Sequence, residues 1–319
     1  MNTRNIRFKS NRVRDILGLF HEELDALYGP GEVTAFGEML FEAFLGWDRV
    51  RLLTSREQTV NQSDLLRLHW ALEDLKRQRP IQHIIGHTDF CGYRIAVGPE
   101  VLIPRPETEE IVNRLITHLL PPTSHLQPHN ILDLCTGSGC IAIALKKAFC
   151  GADVTAVDIS PTALAIARQN AENNGVEVRF LQADVLHTPQ SALRADSSPN
   201  LGEQPDGNIP DIFANKTYSL IVSNPPYVRN NERAQMHRNV LDYEPGLALF
   251  VPDDDPLRFY RAIARIAQRH LAPDGLLALE INEALASDTC TLLLRHGFDP
   301  TVHRDFRGRD RMVTAIRTR

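Results

Sequence analysis

ILDLCTGSGC, residues 131–140, runs from an apolar segment through Asp133 and Leu134 into a loop of small residues, and the helical run IAIALKKAF follows directly. A turn without bulky side chains lets a ligand approach the backbone, and the helix that follows offers free N–H groups at its first turn. The spacing is not Gly-x-Gly-x-x-Gly. Gly137-Ser138-Gly139 is followed by Cys140, Ile141 and Ala142, so only a small-residue variant of the dinucleotide fingerprint is present.

Outward from this stretch, apolar strand candidates alternate with amphipathic helices. Asn130 to Leu134 precedes a helix from about Gly139, and Asp153 to Asp158 precedes one over Pro161 to Asn173. Strands follow at Glu177 to Leu181 and Leu220 to Val222, then a helix from Pro256 to His270 and a strand from Leu276 to Ile281. A helix over Ala284 to His296 and two strands near 300–303 and 312–316 close the chain. This alternation predicts an α/β fold with a mostly parallel sheet covered on both faces, and it places ligands at the carboxyl ends of the strands.

The N-terminal part differs. Val13, Ile16, Leu17, Phe20, Leu24, Leu27 and Tyr28 recur at helical spacing before Gly29-Pro30; further helices are expected from Glu32 to Leu45 and from Asp64 to Gln78, the last capped by Ser63. Residues 1–80 therefore read as a helical domain whose Met39, Phe41, Phe44 and Trp47 are packing residues. In FCGYRIAVGPEVLI, residues 90–103, Gly92 and Gly98-Pro99 punctuate two short β-rich runs, which reads as a hairpin linker over 81–104. Pro104 and Pro106 close it, and Glu107, Glu109 and Glu110 complement the dipole of the helix that opens the third region, 105–319. Within that region, residues 188–216 are rich in Pro, Ser, Asn, Gly and Asp and read as a surface insertion.

Bulk properties exclude several classes. The 319 residues are 43% hydrophobic and 24% charged with a net charge of −5, an ordinary globular balance without the basic excess of a phosphate-binding chain, so stable nucleic-acid binding is not expected. Cys91, Cys135, Cys140, Cys150 and Cys290 show neither a Cys-x-x-Cys pair nor a disulfide framework. His83 and His87 lack a third ligand nearby in sequence, and no metal is expected. No apolar run has the length of a membrane span, and the reading is of a cytoplasmic monomer.

Three strand ends point to a nucleoside. After the loop of Cys135, Thr136, Gly137, Ser138 and Gly139, the next strand ends in Asp158, whose carboxylate can accept both hydroxyls of a ribose. Asp184 ends the third strand, where it can accept an exocyclic amine, with Val185 and Ile159 as apolar walls. The fourth strand ends in Ser223-Asn224-Pro225-Pro226-Tyr227. Its prolines force an extended path and lack N–H donors. The Asn224 side-chain oxygen and the Pro225 carbonyl can then accept both hydrogens of a planar NH2 group, against which Tyr227 can lie flat. Holding such a nitrogen orients it and stabilises the positive charge it develops as it attacks, which suits methyl transfer from a sulfonium donor without a strong general base. A nicotinamide oxidoreductase would use Asp158 but leave Asn224 without a task. Adenine-amine methylation would keep every motif, and a non-catalytic RNA- or ribosome-binding module would leave the whole edge unexplained.

The set Asp133 to Gly139, Val157-Asp158-Ile-Ser and Asn224-Pro-Pro-Tyr227 resembles class I S-adenosylmethionine-dependent methyltransferases acting on planar nitrogens. The stretches PIQHIIGHTDFCGYRIAVGPEVLIPRPETEEIV, YEPGLALF and DFRGRDRMV narrow it: nearly the whole chain resembles the protein-(glutamine-N5) methyltransferases that modify the Gly-Gly-Gln loop of peptide-chain release factors. The resemblance implies a seven-stranded Rossmann-like sheet behind a helical recognition domain and a role in translation termination. It assigns the donor's methionine part to the loop 135–139, its ribose to Asp158 and its adenine to Asp184 with Val185, and S-adenosylhomocysteine leaves as product. It gives the glutamine amide to Asn224, Pro225, Pro226 and Tyr227, and it sets Arg105 and Glu107 at the donor's methionine end, with simple helix capping as the alternative; Glu244 is either a site-edge residue or a loop anchor. Cys135 stands where the family usually has glycine. A sister family methylating a ribosomal-protein glutamine shares CTGSGC more closely, whereas IPRPETE favours the release-factor type.

Overall fold

Spacings of three and four bury Val13, Ile16, Phe20 and Leu24 along one face of α1 (Val13–Tyr28), and the same logic builds α2 (Pro30–Leu45) around Val33, Phe36, Leu40 and Phe41. Next come α3 (Arg49–Thr54), α4 (Gln62–Lys76) and α5 (Ile81–Ile85). The structure, a computed structural model, describes residues 8–119, 128–187, 213 and 216–318. These helices, with the returning segment His237–Tyr243, form one of its two units. Phe41 and Trp47 pack in the core of this unit, their ring centres 5.9 Å apart. The cap of α4 is Asn61, whose side chain accepts from the Asp64 N–H at 2.8 Å, so the helix starts before Ser63. The two short helices have no turn-to-turn repeat for periodicity to detect; α3 is set by the Asp48 cap and α5 ends at Gly86, which is left-handed at φ 84°.

The second unit comprises Thr88–Met236 and Glu244–Arg319. In chain order its elements are β1 (His87–Phe90), β2 (Tyr93–Ala96), α6 (Pro106–Leu119), β3 (Asn130–Leu134), α7 (Cys140–Ala148), β4 (Asp153–Asp158), α8 (Pro161–Asn173), β5 (Arg179–Gln182), β6 (Tyr218–Ser223) and β7 (Val228–Arg229). After α9 (Arg238–Tyr243), which belongs to the first unit, come β8 (Phe250–Val251), α10 (Arg258–His270), β9 (Leu271–Glu280), α11 (Ala286–Arg295), β10 (Phe298–Arg304) and β11 (Asp310–Arg317). The main sheet is seven-stranded in the order β10-β11-β9-β6-β3-β4-β5, parallel from β9 to β5 and antiparallel at β11 and β10. This is the mostly parallel α/β sheet that the alternation of segments predicts.

Period-two alternation divides the strand residues between two faces. Ile131, Leu220, Val222, Val154 and Ala156 pack with α7 and α6 residues such as Ile141, Leu145 and Leu115. Leu132, Leu134, Ile221, Val157, Leu277 and Leu279 pack with Tyr260, Ile263 and Ala267 of α10. Both faces are covered, which explains why these strands read as continuous apolar runs. Strand β6 extends beyond the expected Leu220 to Val222 at both ends, because ladder pairing takes in polar residues such as Ser223, and β9 begins at Leu271, ahead of the expected Leu276. Of the stretch 188–216, only Phe213 and Lys216 lie within the described residues. Phe213 is buried in this core, edge-on to Tyr218, so that position is not surface.

The hairpin turns at Cys91-Gly92, and Glu100–Ile103 form no strand, although Val101 and Ile103 are buried. It is integrated into the second unit. Asn170 on α8, fully buried, accepts from the Ala96 N–H at 2.7 Å and donates to the Ala96 carbonyl at 3.0 Å and the Ser138 carbonyl at 2.9 Å. One amide thereby ties the hairpin to the loop after β3. No helix among the described residues is long and apolar enough to cross a membrane. Asn170→Ala takes the partner from three backbone groups, two of Ala96 and the buried Ser138 carbonyl, and should cost about 3 kcal/mol, seen as a lower denaturation midpoint with an unchanged m-value.

Candidate active site

The sheet order reverses between β3, whose chain continues to β4 on one side, and β6, which lies on the other. A crevice forms at the carboxyl ends of strands at such a point. Parallel pairing sets Leu134 beside both Val157 and Ser223, and Ser223 beside Leu279. The next residues along, Cys135, Asp158, Asn224 and Glu280, therefore end neighbouring strands. Ser223 Oγ donates to the Leu134 carbonyl at 2.6 Å and joins the two central strands at this edge.

A cavity of about 360 Å³ lies here, a size typical of small-molecule sites. Cys135, Thr136, Gly137, Ser138, Asp158, Asp184, Val185, Asn224 and Pro226 all line it, as does Ile159. Gly139, Pro225 and Tyr227 are not among the lining residues. Gly139 instead caps α7 in the left-handed region at φ 80°, where an added Cβ would come 3.1 Å from the Ala167 Cβ. Cys135 is left-handed as well, at φ 61°. That conformation costs about 1 kcal/mol for a residue with a Cβ, which accounts physically for glycine at such a position.

The acidic groups are positioned by backbone donors. Asp158 accepts from Gly137 N–H at 2.8 Å and from Ser160 N–H at 2.9 Å, one on each oxygen. Each oxygen keeps capacity for a further donor, as a ribose diol requires. Asp184 accepts from Leu186 N–H at 2.8 Å and pairs with His187 Nδ1 at 2.5 Å, and Val185 beside it is buried. Burial raises Asp158 above the ordinary carboxylate range, opposed by the Ser160 and Gly137 N–H groups. Asp133, behind the loop, accepts from Thr136 Oγ1 at 2.5 Å, and burial pushes it up to about 7. Such a cluster suits a cationic ligand, and its donors and apolar walls fit S-adenosylmethionine.

The acceptor side rests on a network that the motif does not contain. Asn224 Nδ2 donates to Thr108 Oγ1 at 3.0 Å, Thr108 Oγ1 donates to Glu280 Oε2 at 2.6 Å, and Tyr227 Oη donates to Glu280 Oε1 at 3.0 Å. Thr108 and Glu280 are buried. Arg105 lines the cavity and pairs with the buried Glu244 at 2.5 Å, while Glu244 also accepts from Ile103 N–H at 3.0 Å. Glu244 thus anchors the loop and braces one wall. Glu107 faces Arg307 at 3.6 Å rather than lining the cavity.

Residues 22–86 match a family described as the PrmC N-terminal domain, and residues 131–198 match one described as a methyltransferase domain. The release factor glutamine methyltransferase of Flavobacterium psychrophilum is 40% identical over 295 residues, covering 92% of this chain and 95% of its own length. That of Bacteroides thetaiotaomicron is 38% identical over 303 residues, covering 95% and 99%. The chain belongs to the release factor glutamine methyltransferase family.

Family membership makes this chain an S-adenosylmethionine-dependent enzyme, and the crevice is where such a fold places its ligand. Thr108 and Glu280 escaped the reading of the sequence. Thr108 lies in a helix that gives no hint of what it faces, but Glu280 carried a signal: it is a carboxylate ending an apolar strand, as Asp158 is. The raised Asp133 also has a consequence. A carboxyl that titrates near 7 when folded and near 4 when unfolded lets the native state hold a proton that the unfolded state has lost. Its contribution is full below about pH 4 and is lost as pH rises towards 7. Asp133→Asn should flatten that decline, measured as unfolding free energy across pH 4 to 8; a parallel decline in the variant would contradict the assignment.

Proposed function

We propose that this protein transfers a methyl group from S-adenosylmethionine to the side-chain amide nitrogen of the glutamine in the Gly-Gly-Gln motif of a peptide-chain release factor. The observation that carries this reading is the strand register placing Asn224 directly beside the nucleoside-type loop, in a chain of this family. We place the reaction in the cytoplasm, in the service of translation termination.

The loop from Cys135 to Gly139 holds the donor's methionine part, Asp158 its ribose, and Asp184 with Val185 its adenine. When bound, the donor supplies an electrophilic methyl group. The Asn224 oxygen and the Pro225 carbonyl accept the two hydrogens of the glutamine NH2 and aim its nitrogen. Pro226 lines the cavity beside them, and the buried prolines deny the segment competing N–H donors. Tyr227, its hydroxyl tied to Glu280, closes this segment and lies flat against the amide. As the nitrogen attacks, it becomes positive, and the two acceptors stabilise that charge until a proton leaves to solvent.

Incubation with purified release factor and labelled donor should place one methyl on the Gly-Gly-Gln glutamine. Label appearing only on another residue or on nucleic acid would overturn the reading. Asn224→Ala should lower turnover by about 10²–10³-fold while donor affinity by calorimetry stays within about threefold. Asp158→Ala should show the reverse pattern, with donor affinity falling at least about tenfold.

A further inference from the structure

Asn224 can turn either end of its amide to the cavity, and only the oxygen serves an NH2 guest; the amide nitrogen would set donor against donor. We propose that Glu280 is the positioning residue that decides this orientation, by fixing through Thr108 the direction of a hydrogen-bond chain that ends at the Asn224 oxygen. The inference rests on the reading of Asn224 as the acceptor of the glutamine amide.

The direction follows from counting protons. Both oxygens of Glu280 accept here, one from the Thr108 hydroxyl and one from the Tyr227 hydroxyl, so Glu280 donates to neither. Thr108 has one hydroxyl proton, and Glu280 Oε2 takes it at 2.6 Å. The hydroxyl oxygen can then only accept from Asn224, so the group at 3.0 Å must be Nδ2 and the oxygen must turn the other way. Flipping Asn224 would require Thr108 to donate to it, leaving a buried carboxylate oxygen without its donor. The second oxygen of Glu280 takes the Tyr227 hydroxyl at 3.0 Å, so the same carboxylate holds both ends of the Asn-Pro-Pro-Tyr segment.

Glu280 is built into the scaffold for this task. It is the last residue of β9, 2% exposed, and lies one step beyond the Ser223–Leu279 pairing that brings β9 alongside β6. Its carbonyl accepts from Tyr260 Oη at 3.3 Å. Burial holds Glu280 above the ordinary carboxylate range and the charge of Glu107 adds to this, while the Thr108 and Tyr227 hydroxyls and Arg311 favour its ionised form. Arg311 is itself held by Asp305 at 3.4 Å.

Glu280→Gln keeps the shape but gives the site an NH2 that one of its two partners must accept. If Thr108 accepts it, the hydroxyl proton turns to Asn224 and the amide flips. In full-length protein with release factor and labelled donor, kcat should fall about 100-fold, while donor Kd and the KM for release factor each stay within about threefold. Thr108→Val should lose turnover to a similar degree, and Thr108→Ser, which restores the hydroxyl, should recover at least about tenfold over it. The double variant Glu280→Gln with Thr108→Val should be no worse than the weaker single variant, since both break one chain. A kcat for Glu280→Gln within about threefold of the parent overturns the proposal, as does a donor affinity that falls in step with kcat. Full turnover in Thr108→Val overturns it too, even where Glu280→Gln does not fold. If the parent protein methylates no release-factor glutamine, the functional reading fails and this inference with it; active parent and unimpaired variants defeat the inference alone.

Discussion

The parallel pairing of β3 with β6 is the constraint on which the rest of the site depends. It sets Leu134 against Ser223, and the Ser223 hydroxyl bonds the Leu134 carbonyl at the point where both strands end. Two loops separated by some ninety residues thereby leave the sheet side by side. One is a turn of small residues that a nucleoside can approach; the other is a segment whose two prolines carry no N–H donor. A register slip of one residue would turn every side chain of β6 to the opposite face and bury Asn224's acceptor where no guest can reach it.

Around that pairing the protein supports polar groups at depth by giving each a partner. Asn170 ties the hairpin to the loop, Glu244 braces one wall through Arg105 and the Ile103 N–H, and Glu280 collects the hydroxyls of Thr108 and Tyr227. These groups come from different stretches of the chain, and none contacts its partner through a local sequence pattern. They share a physical role. Each replaces water as the partner of a backbone or side-chain group near the cavity, so that the cavity's remaining acceptors face inward in a fixed orientation.

The acidic lining has an electrostatic logic as well. Asp158 and Asp184 line a site read as taking a sulfonium cation, and burial raises Asp158 above the usual carboxylate range. An apolar surrounding that penalises a carboxylate also strengthens its attraction for a cation brought into contact. The prolines and apolar walls thus act with the carboxylates.

Much of this was legible before any coordinates. Apolar runs punctuated by small or acidic residues determined where the sheet's strands lie, because a strand covered on both faces must be apolar throughout. Asp158, Asp184 and Asn224 stood out for the opposite reason: polar residues at strand ends are where an α/β sheet meets its ligand. The resemblance carried the donor and the substrate class. Tertiary structure decided the remainder. It capped α4 at Asn61 instead of Ser63, built the hairpin into the second unit, buried Phe213, tied the Tyr227 hydroxyl to Glu280, and joined Thr108 and Glu280 to Asn224. Periodicity reports which way a side chain faces along its own element. Which groups it meets depends on strand order and register, and these arise from contacts between residues far apart in sequence.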